Sequence, residues 1–400
     1  MSAPNTLPLD GIRVLDLTTT LLGPYATQIL GDFGADVIKI ESPHGDVTRD
    51  VGPTRTPGMG SVFLGSNRNK RSIVLDLKRP PPREALWRLI ETADVFVHNM
   101  RPQKIKSLGF DPDPVLAWNP AIVYGALHGY RETGPYAGRP AYDDVIQGES
   151  GLAGAFLERD GEPKLVPSSM VDKSIGLVAS AGLLAAIVQR LRTGKGLYVE
   201  VGMFEGMVGY NLVEHQYGAT FVPPEGGPGY PRALSPHRRP HRTRDGHICM
   251  LAYTDRQWRS FWQLVGQPAM ADDPRFTTVL ERNRNIDALY AAVAAALAEK
   301  DTGEWLSLLD EAQVPVGPVN RFADLASDPH LDAIGFFRAY EHPTEGLLEI
   351  PDTAYQFGRE SLPVRRHQPQ LGEHTREILA EAGLSEAEQD EVMATKASQR

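Results

Sequence analysis

The first forty residues alternate apolar runs of strand length with one helical pattern. Residues 12–17 and 35–40 are short and almost uninterrupted apolar runs, which is typical of buried strands. Between them, residues 25–33 carry apolar side chains at the spacing of one helix face. A strand, a helix and a second strand in this order predict a βαβ unit with parallel strands, and hence a Rossmann-like sheet.

The turn after the first strand differs from that of a dinucleotide-binding protein. A dinucleotide site needs a Gly-x-Gly-x-x-Gly turn, because the backbone must approach the pyrophosphate closely. Residues 18–24 instead read Thr-Thr-Thr-Leu-Leu-Gly-Pro, with a single glycine. We therefore expect a Rossmann-like fold that holds no nicotinamide or flavin cofactor.

The rest of the chain continues the alternation and then breaks twice. Strands are predicted at 72–77, 95–97, 122–124 and 198–201, and helices near 83–92 and 172–192. Breaks rich in proline and glycine follow at 222–230 and 313–320, with predicted helices at 255–265 and 286–309 between them and a helical tail from 372. A length of 400 residues favours two domains of α/β class.

Composition narrows the partners and the compartment. The net charge is −10 and there is no Lys/Arg run, so we expect no nucleic-acid partner. Cys249 is the single cysteine, which excludes an intrachain disulfide, and its apolar neighbours predict a buried strand position. Residues 1–9 lack the features of a signal peptide, and the longest apolar stretch, 175–188, is too short to span a bilayer. These features predict a cytoplasmic protein with no membrane partner.

Ten blocks of the chain resemble, in the same order, the class III coenzyme A transferases. They include GIRVLD at 11–16, GADVIKIE at 34–41, NKRSIVLDLK at 69–78, RPAYD at 139–143 and LGEHT at 371–375. The others are at 23–24, 93–99, 133–136, 193–196 and 317–320. The resemblance covers nearly the whole chain, and a shared order of so many blocks is far more specific than any single block.

This resemblance implies an architecture and a chemistry. The large Rossmann-like domain would be built from residues 1–221 and 321–400, and a smaller α/β domain from 222–320. Two subunits would form an interlocked, ring-like homodimer. The substrates would be an acyl-CoA and a carboxylic acid, with coenzyme A moved from one acid to the other.

Asp172 is the candidate nucleophile. The residue alone, just before a long apolar helix, favours a structural N-cap. The resemblance aligns it with the aspartate that attacks the thioester, and the two roles are compatible. A helix N-terminus is expected to keep this carboxylate ionised, and only an ionised carboxylate attacks a carbonyl. Oxyanion donors are expected from backbone N–H groups at the start of this helix or from a glycine loop at 226–229.

The resemblance also implies contacts to coenzyme A at the carboxyl ends of two strands, where open α/β sheets bind ligands. The alternative for the basic residues in this set is ordinary solvated surface charge. The predicted contacts are Leu75, Lys78, Asn99, Met100, Arg101, Tyr142 and Asp143.

Two other functions remain open at this point. One is an α-methylacyl-CoA racemase of the same fold, which resembles this chain but has a histidine near the position of Tyr142. A neutral tyrosine is a poor base near pH 7, and His128 is the nearby substitute. The other is a non-catalytic acyl-CoA-binding protein.

A basic run at 236–242 is the most cationic local segment. It is interpreted either as a solvated loop or as a site for the second carboxylate of a dicarboxylic substrate such as a succinyl group. Its histidines have no carboxylate or cysteine partners at metal-ligand spacing, so no metal is expected.

Overall fold

The computed structural model describes residues 7–394, so most of the segment assessed for a signal peptide lies outside the described residues. The strands, in chain order, are β1 (Arg13–Leu17), β2 (Asp36–Glu41), β3 (Lys70–Val74), β4 (Val95–His98), β5 (Val123–His128), β6 (Leu197–Gly202), β7 (His241–Arg242), β8 (His247–Met250), β9 (Val316–Pro318), β10 (Phe337–His342), β11 (Gly346–Pro351), β12 (Gln356–Phe357) and β13 (Glu360–Ser361).

The α-helices are α1 (Leu22–Asp32), α2 (Ser61–Ser66), α3 (Pro80–Thr92), α4 (Pro102–Leu108), α5 (Pro112–Trp118), α6 (Asp143–Glu149), α7 (Leu152–Asp160), α8 (Met170–Thr193), α9 (Met203–His215), α10 (Pro231–Leu234), α11 (Asp255–Leu264), α12 (Val279–Arg284), α13 (Ile286–Leu297), α14 (Thr302–Glu311), α15 (Pro329–Ala333), α16 (Thr375–Glu381) and α17 (Glu386–Met393). Short 3-10 helices occupy Val47–Asp50, Tyr217–Thr220, Pro268–Ala271 and Phe322–Ser327.

The main sheet has six strands in the order β3-β2-β1-β4-β5-β6. All five neighbouring pairs are parallel. This is the doubly wound Rossmann order, in which the chain reverses direction across the sheet between β1 and β4. The predicted α/β class and parallel sheet are confirmed.

Each face of this sheet packs differently. On one face, apolar side chains such as Leu15, Ile38 and Phe96 form a core with α3, α5, α16 and α17. The opposite face carries Asp16, Lys39 and Lys70, which lie under α1. A parallel strand buried on both faces normally reads as an uninterrupted apolar run, so these three charges are a departure.

Those charges form a buried quartet, completed by Asp46. Lys70 Nζ lies 3.1 Å from Asp16 Oδ2, and Lys39 Nζ lies 2.8 Å from Asp46 Oδ2, with all four side chains fully buried. Burial alone would raise the pKa of Asp16, but Lys70 and Lys39 outweigh it and bring the pKa down to about 2. Burial lowers the pKa of Lys70 to about 8, against the opposing pull of Asp16. The quartet is electrically neutral as two ion pairs, which is the condition under which buried charge is tolerated.

The chain divides into two compact units. Of the residues that the structure describes, the first unit contains those within 1–150, 166–209 and 336–400, and the second contains those within 151–165 and 210–335. The first unit therefore uses both ends of the chain. The boundaries predicted from the proline- and glycine-rich breaks were 221/222 and 320/321, and the segment 151–165 was not predicted to join the second unit.

The second unit has its own core and a three-stranded antiparallel sheet, β7-β8-β9. The helix predicted over 286–309 is two helices, α13 and α14, because the chain turns at residues 298–301 before Asp301 begins the next helix. Cys249 was expected to be buried and is exposed. Ile248, its neighbour on β8, takes the core position, and successive strand side chains point to opposite faces.

The long helix α8 has 24 residues and is long and apolar enough, by length and composition alone, to cross a membrane. The apolar stretch 175–188 lies inside this longer helix, so the length of that stretch alone does not decide whether the helix could span. In the structure α8 packs against α1 and against β5 and β6. A core helix of the sheet passes the same test of length and composition.

Candidate active site

A cleft of about 480 Å³ opens at the carboxyl ends of β1, β4 and β5 in the first unit. These strand ends flank the point where the strand order reverses, which is where open α/β sheets bind ligands. The residues that line it are Thr19, Thr20, Leu22, Asn99, Arg101, Leu127, Gly129, Pro140, Ala141, Tyr142, Asp172 and Met203.

The loops after β1 and β4 are joined directly across the reversal point. The backbone N–H of Thr19 donates to Asn99 Oδ1 at 3.0 Å, and Asn99 Nδ2 donates back to the carbonyl of Thr19 at 2.8 Å. Asn99 therefore fixes one wall of the cleft against the other. Both polar atoms of its side-chain amide bond to the backbone of Thr19. Asn99 therefore positions this wall, in addition to any contact that it makes with a ligand.

The loop at 18–20 is also held from beneath by the buried quartet. Lys39 Nζ donates to the carbonyl of Thr18 at 2.9 Å, and Asp46 Oδ1 accepts the N–H of Thr20 at 3.1 Å. Thr20 has a φ of 71°, a left-handed conformation that is costly for a β-branched residue and persists where its surroundings enforce it. The charge quartet thus gives the cleft floor a fixed backbone conformation.

The single glycine of this turn has a packing reason. A Cβ built on Gly23 would lie 2.3 Å from Cβ of Thr18, so only glycine fits at the start of α1. The glycine here accommodates the chain's own turn.

Asp172 lies in the first turn of α8 and is half-buried at the cleft. It is not the N-cap, which is Ser169, so the structural alternative given by the sequence is wrong in position. The backbone N–H of Asp172 donates to Asp143 Oδ1 at 2.9 Å, so the capping carboxylate comes from α6. The carboxylate of Asp172 accepts no hydrogen bond from residues 7–394 in the structure.

Asp143 and Gln147 together fasten the segment that leads into α8. Gln147 Nε2 donates to Asp143 Oδ2 at 2.6 Å, and Gln147 Oε1 accepts the N–H of Val166 at 2.8 Å. Asp143 is buried and does not line the cleft. It positions Asp172 through the backbone, a relation that the sequence alone did not reveal because the two residues are 29 apart.

The environment raises the pKa of Asp172 from 3.8 to about 6, chiefly through burial and then through the charges of Asp143 and Asp144. The helix N-terminus is expected to keep this carboxylate ionised, yet its pKa lies above that of an ordinary aspartate. The two neighbouring carboxylates offset the favourable end of the helix dipole. At neutral pH the group is still mostly ionised, and it is a stronger nucleophile than an ordinary aspartate because its pKa is higher.

Two of the backbone N–H groups at the start of α8, which were expected to stabilise an oxyanion, already donate hydrogen bonds within the protein. At the start of α8 the N–H of Met170 donates to Ser168 and that of Asp172 to Asp143, so neither is free for a substrate. The glycines at 226–229 lie in the second unit.

Of the predicted coenzyme A contacts, Asn99, Arg101 and Tyr142 line the cleft with Asp172. Leu75 is buried in the apolar core and Met100 packs against it. Lys78 is exposed on the turn before α3 and is not among the cleft-lining residues. The basic run at 236–242 lies in the second unit, where His241 is buried and the arginines are exposed.

The sequence did not predict most of the apolar residues and glycines that line the cleft. Gly129 is an example with a recoverable signal, since it immediately follows β5 at the same edge of the sheet. A Cβ on Gly129 would lie 2.4 Å from Cβ of Ala141, so the two ends of the loop between β5 and α6 touch here. This contact brings the segment 140–142 to the cleft.

His128, the alternative base, is buried and is not among the cleft-lining residues. Burial lowers its pKa, against the opposing charges of Glu132 and Glu200. Tyr142 is 70% exposed at the cleft. Among the cleft-lining residues no histidine faces Asp172, so the pair of opposed bases that a racemase would use is missing from this lining.

Comparison with known proteins agrees with this geometry. A model of CoA-transferase family III matches residues 9–375. A succinyl-CoA:glutarate CoA-transferase of Mus musculus is 33% identical over 382 residues, covering 94% of this chain and 86% of the relative. An acetyl-CoA:oxalate CoA-transferase of Acetobacter aceti is 36% identical over 338 residues, covering 82% of this chain and 84% of the relative.

Among solved structures, a CaiB/BaiF family protein from Brucella suis superposes with a TM-score of 0.78. It is 31% identical, and the match covers 94% of this chain and 100% of the other. The resemblance drawn from the sequence blocks is therefore confirmed in both sequence and fold.

Proposed function

The chain belongs to CoA-transferase family III, and we propose that it moves coenzyme A from an acyl-CoA donor to a carboxylic acid through covalent intermediates on Asp172. The observation that carries the proposal is the placement of Asp172, a half-buried carboxylate with no hydrogen-bond donor of its own among residues 7–394, at the cleft where the strand order reverses. Burial and two nearby carboxylates make this group more basic than an ordinary aspartate.

The reaction proceeds in four balanced steps. A carboxylate oxygen of Asp172 attacks the donor carbonyl, the C–S bond breaks, and a mixed anhydride and coenzyme A thiolate result. The thiolate then attacks the aspartyl carbonyl, which forms an aspartyl-CoA thioester and releases the donor acid. The acceptor carboxylate attacks this thioester, giving a second anhydride and thiolate. Attack of the thiolate on the acceptor carbonyl finally forms the new acyl-CoA and restores Asp172. Covalent catalysis of this kind keeps the energy of the thioester throughout.

Two features of the cleft support the binding step. Arg101 is exposed at the cleft and supplies a permanent positive charge for a phosphate or carboxylate. Leu22, Leu127 and Met203 supply apolar lining for the acyl or pantetheine portion. Lys78, Leu75, Met100 and Asp143 remain predicted contacts. The relatives named for succinyl-CoA make succinyl-CoA the first donor to test, with short mono- and dicarboxylates as acceptors.

Trapping of the covalent intermediate tests the proposal. Protein incubated with succinyl-CoA is treated with hydroxylamine, and peptide mass spectrometry locates the modified residue. We expect an aspartyl hydroxamate at Asp172. Asp172→Asn should lose transfer activity by at least about a thousandfold, because the nucleophile is removed. The matched control is Asp144→Asn, which neutralises an exposed neighbour and should keep most of the activity.

Three outcomes would reject this mechanism. Transfer at the wild-type rate by Asp172→Asn would show that Asp172 is not the nucleophile. Exchange of solvent deuterium into the α-carbon of an acyl-CoA without an acceptor acid would favour racemase chemistry instead. Unchanged acyl-CoA under all donor and acceptor combinations, with binding that Asp172→Asn leaves intact, would favour a binding protein.

The proposal includes a homodimer of interlocked subunits, as the family resemblance implies. Val213 is 83% exposed and Phe322 is 91% exposed in the isolated chain, and burial of such side chains would favour association. Light scattering on the purified protein measures the oligomeric state directly, and a stable monomer would contradict the proposal. The cytoplasmic location stays a prediction.

A further inference from the structure

His128 is a buried imidazole with no hydrogen-bond partner in the described part of the chain. It is the last residue of β5 and is 5% exposed. Neither ring nitrogen has a hydrogen-bond partner among residues 7–394. Its neighbour His98 is already committed, since its Nδ1 accepts the N–H of Met100 and its Nε2 bonds to the hydroxyl of Tyr124. A buried polar group left in this condition calls for an occupant that the protein atoms do not supply.

Two glutamates converge on the same imidazole. Glu200 lies on β6 opposite Ala126, in the register that pairs His128 with Gly202, so the sheet puts both side chains on one face. Glu132 lies in the loop after β5. His128 Nδ1 is 3.5 Å from Glu132 Oε1 and 3.7 Å from Glu200 Oε1, and the possible ligand atoms of the three residues lie within 4.8 Å of one another.

These separations are too long for good hydrogen bonds and suit a shared central ion. Zinc lies about 2.1 Å from imidazole nitrogen and carboxylate oxygen, so two ligands at the tetrahedral angle are about 3.4 Å apart. The observed 3.5 and 3.7 Å are close to that spacing. We infer that His128, Glu132 and Glu200 form a binding site for a transition-metal dication, with Zn²⁺ the best match. An imidazole ligand favours Zn²⁺ over Mg²⁺ or Ca²⁺, which prefer oxygen alone.

The proposed metal site can be reached from a cavity, and it lies where a bound ion would affect the shape of the cleft. Glu132 and Glu200 line a separate cavity of about 600 Å³, distinct from the lining of the cleft that contains Asp172. A bound ion would tie the loop after β5 to β6. That loop runs from Gly129 to Tyr142, and both of those residues line the catalytic cleft. The ion would therefore stabilise the fold and fix one wall of the cleft without contacting the substrate.

Direct titration tests the site independently of catalysis. Protein dialysed against a chelator is titrated with Zn²⁺ by isothermal calorimetry, with Mg²⁺ in parallel, and the bound metal is counted by mass spectrometry. We expect one Zn²⁺ per chain and a raised melting temperature on loading, with no comparable response to Mg²⁺.

Variants separate this site from incidental surface binding. Glu132→Gln keeps the shape of a partly exposed side chain and removes one ligand charge, so it should weaken Zn²⁺ binding about tenfold or more. Glu200→Gln should do the same. Glu91→Gln, an exposed carboxylate on α3, is the matched control and should bind Zn²⁺ as the wild type does. Absence of stoichiometric binding by the wild type, or undiminished binding by both ligand variants, would overturn the inference.

Discussion

Replacement of the candidate nucleophile is expected to stabilise the protein while it abolishes transfer. In the folded protein the pKa of Asp172 is about 6 instead of 3.8, so ionising it costs about 3 kcal/mol more than in the unfolded chain. Because the residue is partly exposed, we expect about 1 to 3 kcal/mol of this to be recovered by Asp172→Asn near neutral pH. The asparagine is of similar shape, and the carboxylate that it replaces accepts no hydrogen bond from residues 7–394.

The gain must depend on pH in one direction. Below pH 3.8 the wild-type carboxylate is protonated in both the folded and the unfolded state, so it carries no penalty. As the pH rises from 3.8 to about 6, the unfolded chain ionises while the folded protein still holds its proton, so the folded wild type loses stability across this window, and above about 6 the loss is complete. The asparagine variant has no such titration. Its advantage should therefore be absent below pH 3.8, grow between 3.8 and about 6, and stay constant above neutrality.

Urea unfolding followed by circular dichroism, at several pH values from below 3.8 to weak base, measures the effect. Glu91→Gln serves as the control, because neutralising an exposed carboxylate should change stability by no more than about 0.5 kcal/mol at any pH. If Asp172→Asn is less stable than the wild type above neutrality, or if its advantage is the same across the range, the electrostatic reasoning at this site is refuted.

Three further outcomes follow from the same structure. The kcat/KM for transfer should fall below a pH of about 6, because protonation of Asp172 removes the attacking carboxylate, and a pH–rate profile that is flat through this range would contradict it. Lys70→Met should destabilise the protein by about 3 to 5 kcal/mol in urea unfolding, because it leaves Asp16 buried without its partner at 3.1 Å, and a loss below about 1 kcal/mol would show that the pair is unimportant. Gly129→Ala should lower activity because its Cβ would lie 2.4 Å from that of Ala141, and the double variant with Ala141→Gly should recover most of the loss, which a purely conformational effect of alanine would not allow.

The sheet could be predicted because its strands are short apolar runs separated by helical patterns. The predicted strands at 12–17 and 95–97 match β1 and β4 to within about one residue at each end. Strand order could be inferred only through the family resemblance. Periodicity indicates which residues form strands, but it does not show which strands are neighbours in the sheet. The division of 286–309 into two helices was missed, although the polar residues 299–302, with Asp301 at the N-cap of α14, mark the turn.

The site was predictable in part for a similar reason. Asn99, Arg101 and Tyr142 follow strand ends or sit in matching blocks, and they do line the cleft with Asp172. The raised pKa of Asp172 was not predicted, because the sequence shows a helix N-terminus but neither the burial of the carboxylate nor the charges of Asp143 and Asp144 beside it. Likewise, His128 and Glu200 are far apart in sequence, and only the pairing of β5 with β6 brings them together.

The ion pairs beneath the first loop have a consequence for redesigning this enzyme. Lys39 and Asp46 hold the main chain of residues 18–20, whichever side chain position 19 carries. A library that varies Thr19 to change which acids are accepted would thus alter the side chain at the cleft while the backbone of residues 18–20 keeps its conformation. This requires that Lys39 and Asp46 are left unchanged. Directed evolution that altered the anchors first would lose the scaffold before it could select a new specificity.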